Sequence, residues 1–185
     1  SSSKVHGSGW LDRCIDEIDA FLGKSARRAL FVPYAVGDHA DLTKKASEKF
    51  APRGIELSSL HERAGEKEAR AAIEGAEAMV VSGGNTFRLL KSLYDGGGGG
   101  RGGWIEPIAR RVAAGMPYVG WSAGSIIACP TIQTTNDMPI VEPPSMRALG
   151  LVPFQINAHY FDADPNSKHM GETREQRLQE FHEEN

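Results

Sequence analysis

Tyr118-Val119-Gly120-Trp121-Ser122-Ala123-Gly124-Ser125-Ile126-Ile127-Ala128-Cys129 joins a short apolar strand to a helix start through a turn in which small residues flank a serine. The turn has the form Gly-x-Ser-x-Gly, and a strand before it with a helix after it is the setting that puts a nucleophile on a sharp, strained corner. A corner of this kind needs small flanking residues so that the neighbouring chain can pass. It projects the Ser122 hydroxyl from the carboxyl edge of a sheet and points the Ala123 amide, at the helix start, towards a developing oxyanion. A tight turn whose glycines serve packing alone is the competing reading; the strand and helix on either side favour catalysis.

Working outward, Ala29-Leu30-Phe31-Val32-Pro33-Tyr34, residues 55–60 and Ala78-Met79-Val80-Val81 read as further strands, the first and last as continuous apolar runs. Between them lie helical patterns. Trp10, Leu11, Cys14, Ile15, Ile18, Phe21 and Leu22 recur at helical spacing and stop at Gly23; Leu42, Ala46 and Phe50 mark a second helix; Ala69, Ala72 and Ile73 a third; residues 86–93 and 105–114 two more. Strands buried on both faces and alternating with helices imply a parallel sheet with both faces covered. The fold class expected is α/β, a three-layer α/β/α sandwich with a mostly parallel central sheet and its sites at the carboxyl ends of the strands.

The chain has 185 residues, 40 % of them hydrophobic and 24 % charged, the material of one globular domain spanning 1–185. Both ends read as cut: a Ser-rich turn stands where an opening strand belongs, and residues 177–185 close in a charged helix, so the first strand and a carboxyl-terminal part are expected to be missing. The net charge of −3 is carried by the five Glu and two Arg of residues 172–185. A neutral body with an acidic end offers phosphate backbones no positive footprint, which argues against nucleic acid as a partner. No apolar run is long enough to span a bilayer, and no signal-peptide core opens the chain, so neither a membrane nor export is expected. Cys14 and Cys129 lie in apolar surroundings without metal spacing and read as buried thiols of a reducing compartment, taken as the cytoplasm. The run from Gly96 to Gly103 holds seven of the 21 glycines. It reads as a flexible surface loop, since a phosphate cradle would need a strand directly before it and a helix with Lys-Ser/Thr directly after.

A serine hydroxyl needs a base. His6, His39, His61, His169 and His182 stand in polar stretches and read as solvated surface residues. His159 closes the apolar segment Leu151-Val152-Pro153-Phe154-Gln155-Ile156-Asn157-Ala158, read as a strand that would deliver it to the edge where Ser122 lies; a buried structural histidine is an equal alternative on position alone. The Ser82-Gly83-Gly84-Asn85 turn at another strand end is placed to add a backbone amide, that of Gly84, to the one from Ala123.

Gly83-Gly84-Asn85-Thr86-Phe87, Gly120-Trp121-Ser122-Ala123-Gly124, Cys129-Pro130-Thr131-Ile132, Thr134-Thr135-Asn136-Asp137-Met138-Pro139-Ile140-Val141 and Gly171-Glu172-Thr173-Arg174-Glu175-Gln176-Arg177 together resemble the peptidase E family of α-aspartyl dipeptidases, in order and through nearly the whole chain. The resemblance implies a serine peptidase that cleaves after an amino-terminal aspartate in Asp-X dipeptides, on a sheet similar to that of class I glutamine amidotransferases. It implies Ser122 as nucleophile, His159 as base, and the Gly84 and Ala123 amides as oxyanion hole. It points to Arg174 for the substrate's β-carboxylate, a task suited to a guanidinium fork. Read without it, Arg174 is a solvent-facing charge in a helix whose Thr173 and Gln176 look like a capping box. Asn85 and Asp137 are carried as substrate-binding residues. The acid partner of the histidine in that family is a glutamate in a Pro-Glu-Gly segment farther along than residue 185; Asp137 could orient His159, contact the substrate amino group or hold a loop, and the last two rank above the first. No metal and no cofactor is called for, and a homodimer is carried as the assembly. A cyanophycinase-like hydrolase of aspartate-containing polymers and an inactive binding module for acidic peptides are the alternatives.

Overall fold

A computed structural model of the chain describes residues 7–96, 103–164, 166, 168 and 170–185. Four strands, β1 (Arg28–Val32), β2 (Glu56–Ser59), β3 (Ala78–Val81) and β4 (Tyr118–Gly120), form one sheet of order β2-β1-β3-β4 in which every pairing is parallel. Seven helices are described: α1 (Ile15–Leu22), α2 (His39–Phe50), α3 (Glu66–Gly75), α4 (Thr86–Asp95), α5 (Ile105–Ala113), α6 (Ala123–Ile127) and α7 (Arg174–Glu184).

The alternation of side chains along β1 and β3 separates two cores. Ala29, Phe31, Ala78 and Val80 face one side, where Ile15 and Leu22 of α1 and Ala46 and Phe50 of α2 cover them. Leu30, Val32, Met79 and Val81 face the other, under Ile73 of α3, Leu89, Leu90 and Leu93 of α4, Ile108 of α5 and Ile126 and Ile127 of α6. Because both faces are covered, β3 is apolar at every position and β1 at every position after the exposed Arg28, which is why they read as unbroken hydrophobic runs. The three-layer α/β expectation holds. Register puts Val32 beside Val81 and Val81 beside Gly120, so β1, β3 and β4 end level with one another. Their following loops therefore share one edge.

Three expectations are corrected. The segment 151–158 is not a strand: it leaves Gly150, at φ 62, and runs as irregular chain whose Leu151 amide donates to Ala128 O at 2.8 Å. Pro153 has no N–H to offer a ladder, and the carbonyls that follow are taken by side chains instead of by a strand. His39 and His61 are half-buried and packed against each other, with ring centroids 5.5 Å apart, in place of the solvated positions expected. Cys14 is only half-buried, whereas Cys129 is buried; both thiols are free and burial pushes both up. Of the glycine run, Gly96 is the left-handed cap of α4 and Gly103 lies against it, while 97–102 fall outside the described residues. His6 and His169 also lie outside them.

Candidate active site

Ser122 occupies the corner between β4 and α6 with φ 54 and ψ −116, a region that a residue bearing a Cβ enters only when its surroundings force it to. The forcing contacts are visible. Tyr118 Oη donates to Gly124 O at 2.6 Å, Ser125 Oγ donates to Gly120 O at 2.9 Å, and the Ser125 and Ile126 amides donate to Ser122 O at 2.9 and 3.1 Å. Trp121 locks the base of the corner, stacked on Phe31 and edge-on to Trp10 at 5.6 Å. Burial pushes the Tyr118 phenol well above its ordinary range, so it stays a neutral donor. Tyr118→Phe is expected to leave the Gly124 carbonyl without its side-chain donor and cost about 1–3 kcal/mol. Thermal unfolding beside steady-state kinetics checks this, with kcat falling more than KM changes.

Small flanking residues are required here as the sequence implied. A Cβ on Gly120 would sit 2.4 Å from Gly124 O, and one on Gly83 would sit 2.9 Å from the Ser122 Cβ. The turn after β3 thus abuts the nucleophile, which places the next residue, Gly84, at its side. Gly84 is exposed, with φ +143, and its own Cβ position is filled by Ala35 O at 2.4 Å. The amides of Gly84 and Ala123 donate to none of the described residues, leaving both N–H groups available to an oxyanion.

His159 Nε2 lies 2.7 Å from Ser122 Oγ. This distance joins the two residues that the sequence placed far apart, and it is within the reach required of a nucleophile and its base. His159 too has a left-handed backbone, φ 62, held by the chain before it. Thr134 Oγ1 donates to Ile156 O at 2.9 Å, Asn157 Nδ2 to Thr134 O at 2.7 Å, Asn136 Nδ2 to Ala158 O at 2.9 Å and Gln155 Nε2 to Thr131 Oγ1 at 2.8 Å. These polar residues are the ones that reading the site residue by residue missed. Their signal was the density of Thr and Asn between 131 and 136, which have no other reason to follow a buried helix.

Asp137 is held elsewhere. Its Oδ2 accepts from the Thr86 amide at 2.8 Å and from Thr86 Oγ1 at 2.5 Å, and Thr135 Oγ1 donates to Thr86 Oγ1 at 3.1 Å. Asn85 caps α4 by accepting from the Arg88 amide at 3.0 Å, and its Nδ2 donates to Met138 O at 2.8 Å. Asp137 and Asn85 therefore fasten the 135–138 loop to the start of α4, next to Gly84, where a carboxylate also meets the helix dipole favourably. The carboxylate of Asp137 hydrogen-bonds to Thr86 and not to His159.

Arg174 opens α7 behind the Thr173/Gln176 capping box anticipated above. Its guanidinium stacks over Phe161 at 5.3 Å and lines a cavity of about 330 Å³ with Asp164, Glu172, Thr173 and Arg177. Arg177 is paired with Glu172 at 3.4 Å, whereas Arg174 pairs with no described acid. Phe161 follows His159 by two residues, which brings the cavity's wall close along the chain to the base. Among the described residues no three His, Cys, Asp or Glu side chains gather as metal ligands. Nor is any helix among them long and apolar enough to cross a membrane.

The family model described as peptidase family S51 matches residues 1–185. The chain belongs to peptidase family S51. A relative from Streptomyces coelicolor, named peptidase E, is 50 % identical over 185 residues, covering 100 % of this chain and 72 % of that protein. A Drosophila melanogaster protein named as an α-aspartyl dipeptidase is 43 % identical over 183 residues, 98 % of this chain and 72 % of its own length. A crystal structure assigned to peptidase E from Listeria monocytogenes EGD-e superposes with a TM-score of 0.66 at 26 % identity, covering 90 % of this chain and 81 % of that one. A peptidase from an acI-B1 actinobacterium, at 15 % identity and a TM-score of 0.57 over 83 % of this chain and 66 % of that one, shares the fold. Membership of S51 makes the protein a serine peptidase, in agreement with the elbow and its base.

Proposed function

We propose that this chain cleaves the peptide bond after an amino-terminal aspartate in Asp-X dipeptides through a Ser122 acyl-enzyme. The observation that carries the reading is the 2.7 Å contact between Ser122 Oγ and His159 Nε2 on a strained elbow. The names borne by relatives at 43 and 50 % identity supply the substrate class.

In this reading His159 takes the proton of Ser122 as Oγ attacks the carbonyl carbon of the first residue. The tetrahedral oxyanion rests on the Gly84 and Ala123 amides. Collapse breaks the C–N bond, and protonated His159 gives its proton to the departing amine. Water, deprotonated by the same imidazole, then displaces Ser122 and releases aspartate. Arg174 takes the β-carboxylate, its lack of an acid partner and its place in a cavity beside Phe161 supporting that role. Asp137 and Asn85, beside the Gly84 turn, serve the substrate amino group and hold the loop. The reaction as derived uses side chains and amides alone, in one domain. The two free cysteines support a cytoplasmic location, and a homodimer is the assembly to be checked by light scattering.

Hydrolysis of an aspartyl chromogenic amide, run beside glutamyl and alanyl amides, tests the reading. Cleavage confined to the aspartyl substrate is the expected result, because a neutral first residue leaves the guanidinium unpaired and a longer one misplaces its carboxylate. Equal rates on the alanyl amide would remove the aspartate specificity.

A further inference from the structure

The carboxyl edge carries a second set of polar side chains that the mechanism above leaves unused. In the order β2-β1-β3-β4 the chain leaves β1 towards β2 on one side and returns to β3 on the other. The crevice at such a switch point, outside the carboxyl ends of the two strands, is where open α/β sheets take ligands. Here its walls are the loop after β1 and the Gly84 turn after β3, fastened by the Asn85 amide donating to Ala35 O at 2.8 Å.

Arg88, on α4, reaches this crevice: a Cβ on Gly37 would sit 3.4 Å from its Nη1. His39, near enough to feel the Arg88 charge, lies edge-on to Tyr34 at 5.3 Å and to His61 at 5.5 Å. His61 Nδ1 is 2.5 Å from Ser59 Oγ, a buried hydroxyl that also meets Thr43 Oγ1 at 3.2 Å, so the ring is fixed. Burial, then His61 and Arg88, hold the His39 imidazole towards its neutral form. The acid near it, Asp38, has its side chain committed to the Asp41 amide at 2.9 Å. Arg88 is half-buried and forms no ion pair with any described residue.

A partly dehydrated guanidinium without an anion gives up hydration and receives nothing for it, while its planar fork is matched to a carboxylate. We infer that Arg88, backed by His39 and His61, is a second carboxylate-recognition point, which takes a carboxylate of the residue that departs. Strands about 4.8 Å apart put the β1–β3 crevice roughly 7 Å along the edge from β4 and its Ser122. One extended residue of about 3.4 Å and the reach of an arginine side chain span that gap. The carboxylate is the departing residue's α-carboxylate or an acidic group on its side chain. The identity of this ligand rests on the peptidase reading; the site itself does not.

The test compares kcat/KM for Asp-Leu with its C-terminal amide, and for Asp-Glu with Asp-Gln, the last two both as amides, in the wild type, Arg88→Gln and Arg88→Lys. Binding of the same peptides to the Ser122→Ala protein, with and without Arg88→Gln, is measured in parallel by calorimetry. A carboxylate preference of about tenfold or more is expected in the wild type, falling to near parity in Arg88→Gln and intermediate in Arg88→Lys. Preference confined to the Asp-Leu pair identifies the α-carboxylate; preference confined to the second pair identifies the side chain. A preference that survives Arg88→Gln, or none in the wild type, overturns the inference. If no peptide is cleaved, the peptidase reading fails while the calorimetry still decides Arg88: a carboxylate preference lost with Arg88→Gln upholds the site, and its absence, or absence of binding, overturns it.

Discussion

Ser122→Ala is expected to lower kcat/KM on an aspartyl amide by about 10⁴-fold or more, and adding His159→Ala to it should cost little further. The two side chains act as one unit at 2.7 Å: an imidazole with no hydroxyl to deprotonate does nothing, and the hydroxyl without the imidazole is a poor nucleophile. The Gly84 and Ala123 amides stay where they are in both variants, so a residual rate above that of water is expected to survive, as it does where an oxyanion hole outlives its triad. Additive losses in the double variant would show that the two residues do not share one step. The same position carries a second, opposite effect. Ser122 sits at φ 54, and relieving that backbone with Ser122→Gly should raise stability by about 1–3 kcal/mol while leaving no nucleophile. Thermal melts of the Gly and Ala variants separate the loss of the hydroxyl from the relief of strain.

The elbow was legible because its chemistry is local. A sharp corner after a buried strand has few solutions in sequence, and Gly120, Ser122 and Gly124 write one of them. The sheet was legible for the same reason: Ala78, Met79, Val80 and Val81 are all buried, so no alternation dilutes the pattern. His159 is legible in the sequence but its route is not. The segment before it carries enough apolar residues to resemble a strand, yet its backbone is tied by Thr134, Asn136, Asn157 and Gln155, and side-chain hydrogen bonds across a gap of some twenty residues leave no period to read. The half-buried positions of His39 and His61 are hidden from the sequence for a similar reason. Polar neighbours in sequence suggested solvent, but β1 and β2 are adjacent strands, and it is the sheet order that brings their following loops together. The pairing of Asp137 with Thr86 is not legible in the sequence, because it depends on where α4 begins relative to a loop far along the chain.

Gly124→Ala sets two principles against each other and predicts which wins. Gly124 lies in α6, where alanine is the better helix former by about 1 kcal/mol, so propensity alone forecasts a more stable protein. A Cβ there would stand 2.3 Å from Val81 O and 3.0 Å from Val81 C, main-chain atoms at the carboxyl end of the central strand β3. Val81 cannot retreat, being paired with Val32 on β1 and Gly120 on β4. The helix cannot retreat either, since Tyr118 Oη holds Gly124 O at 2.6 Å and Ser125 Oγ holds Gly120 O. Overpacking against rigid neighbours costs about 1–3 kcal/mol, and here the neighbour is backbone, so the upper end of that range or beyond is expected, with the elbow displaced and activity lost. Gly54→Ala is the control: φ is 67, nothing lies within 4 Å of the new methyl, and the cost should be the left-handed penalty of about 1–2 kcal/mol with activity kept. Urea midpoints for the two variants decide between the accounts. Equal losses would mean that backbone freedom, and not the close approach of α6 to β3, is what glycine provides at 124; a more stable Gly124→Ala would mean that the sheet yields, and that the strained geometry of Ser122 is held by something other than this contact.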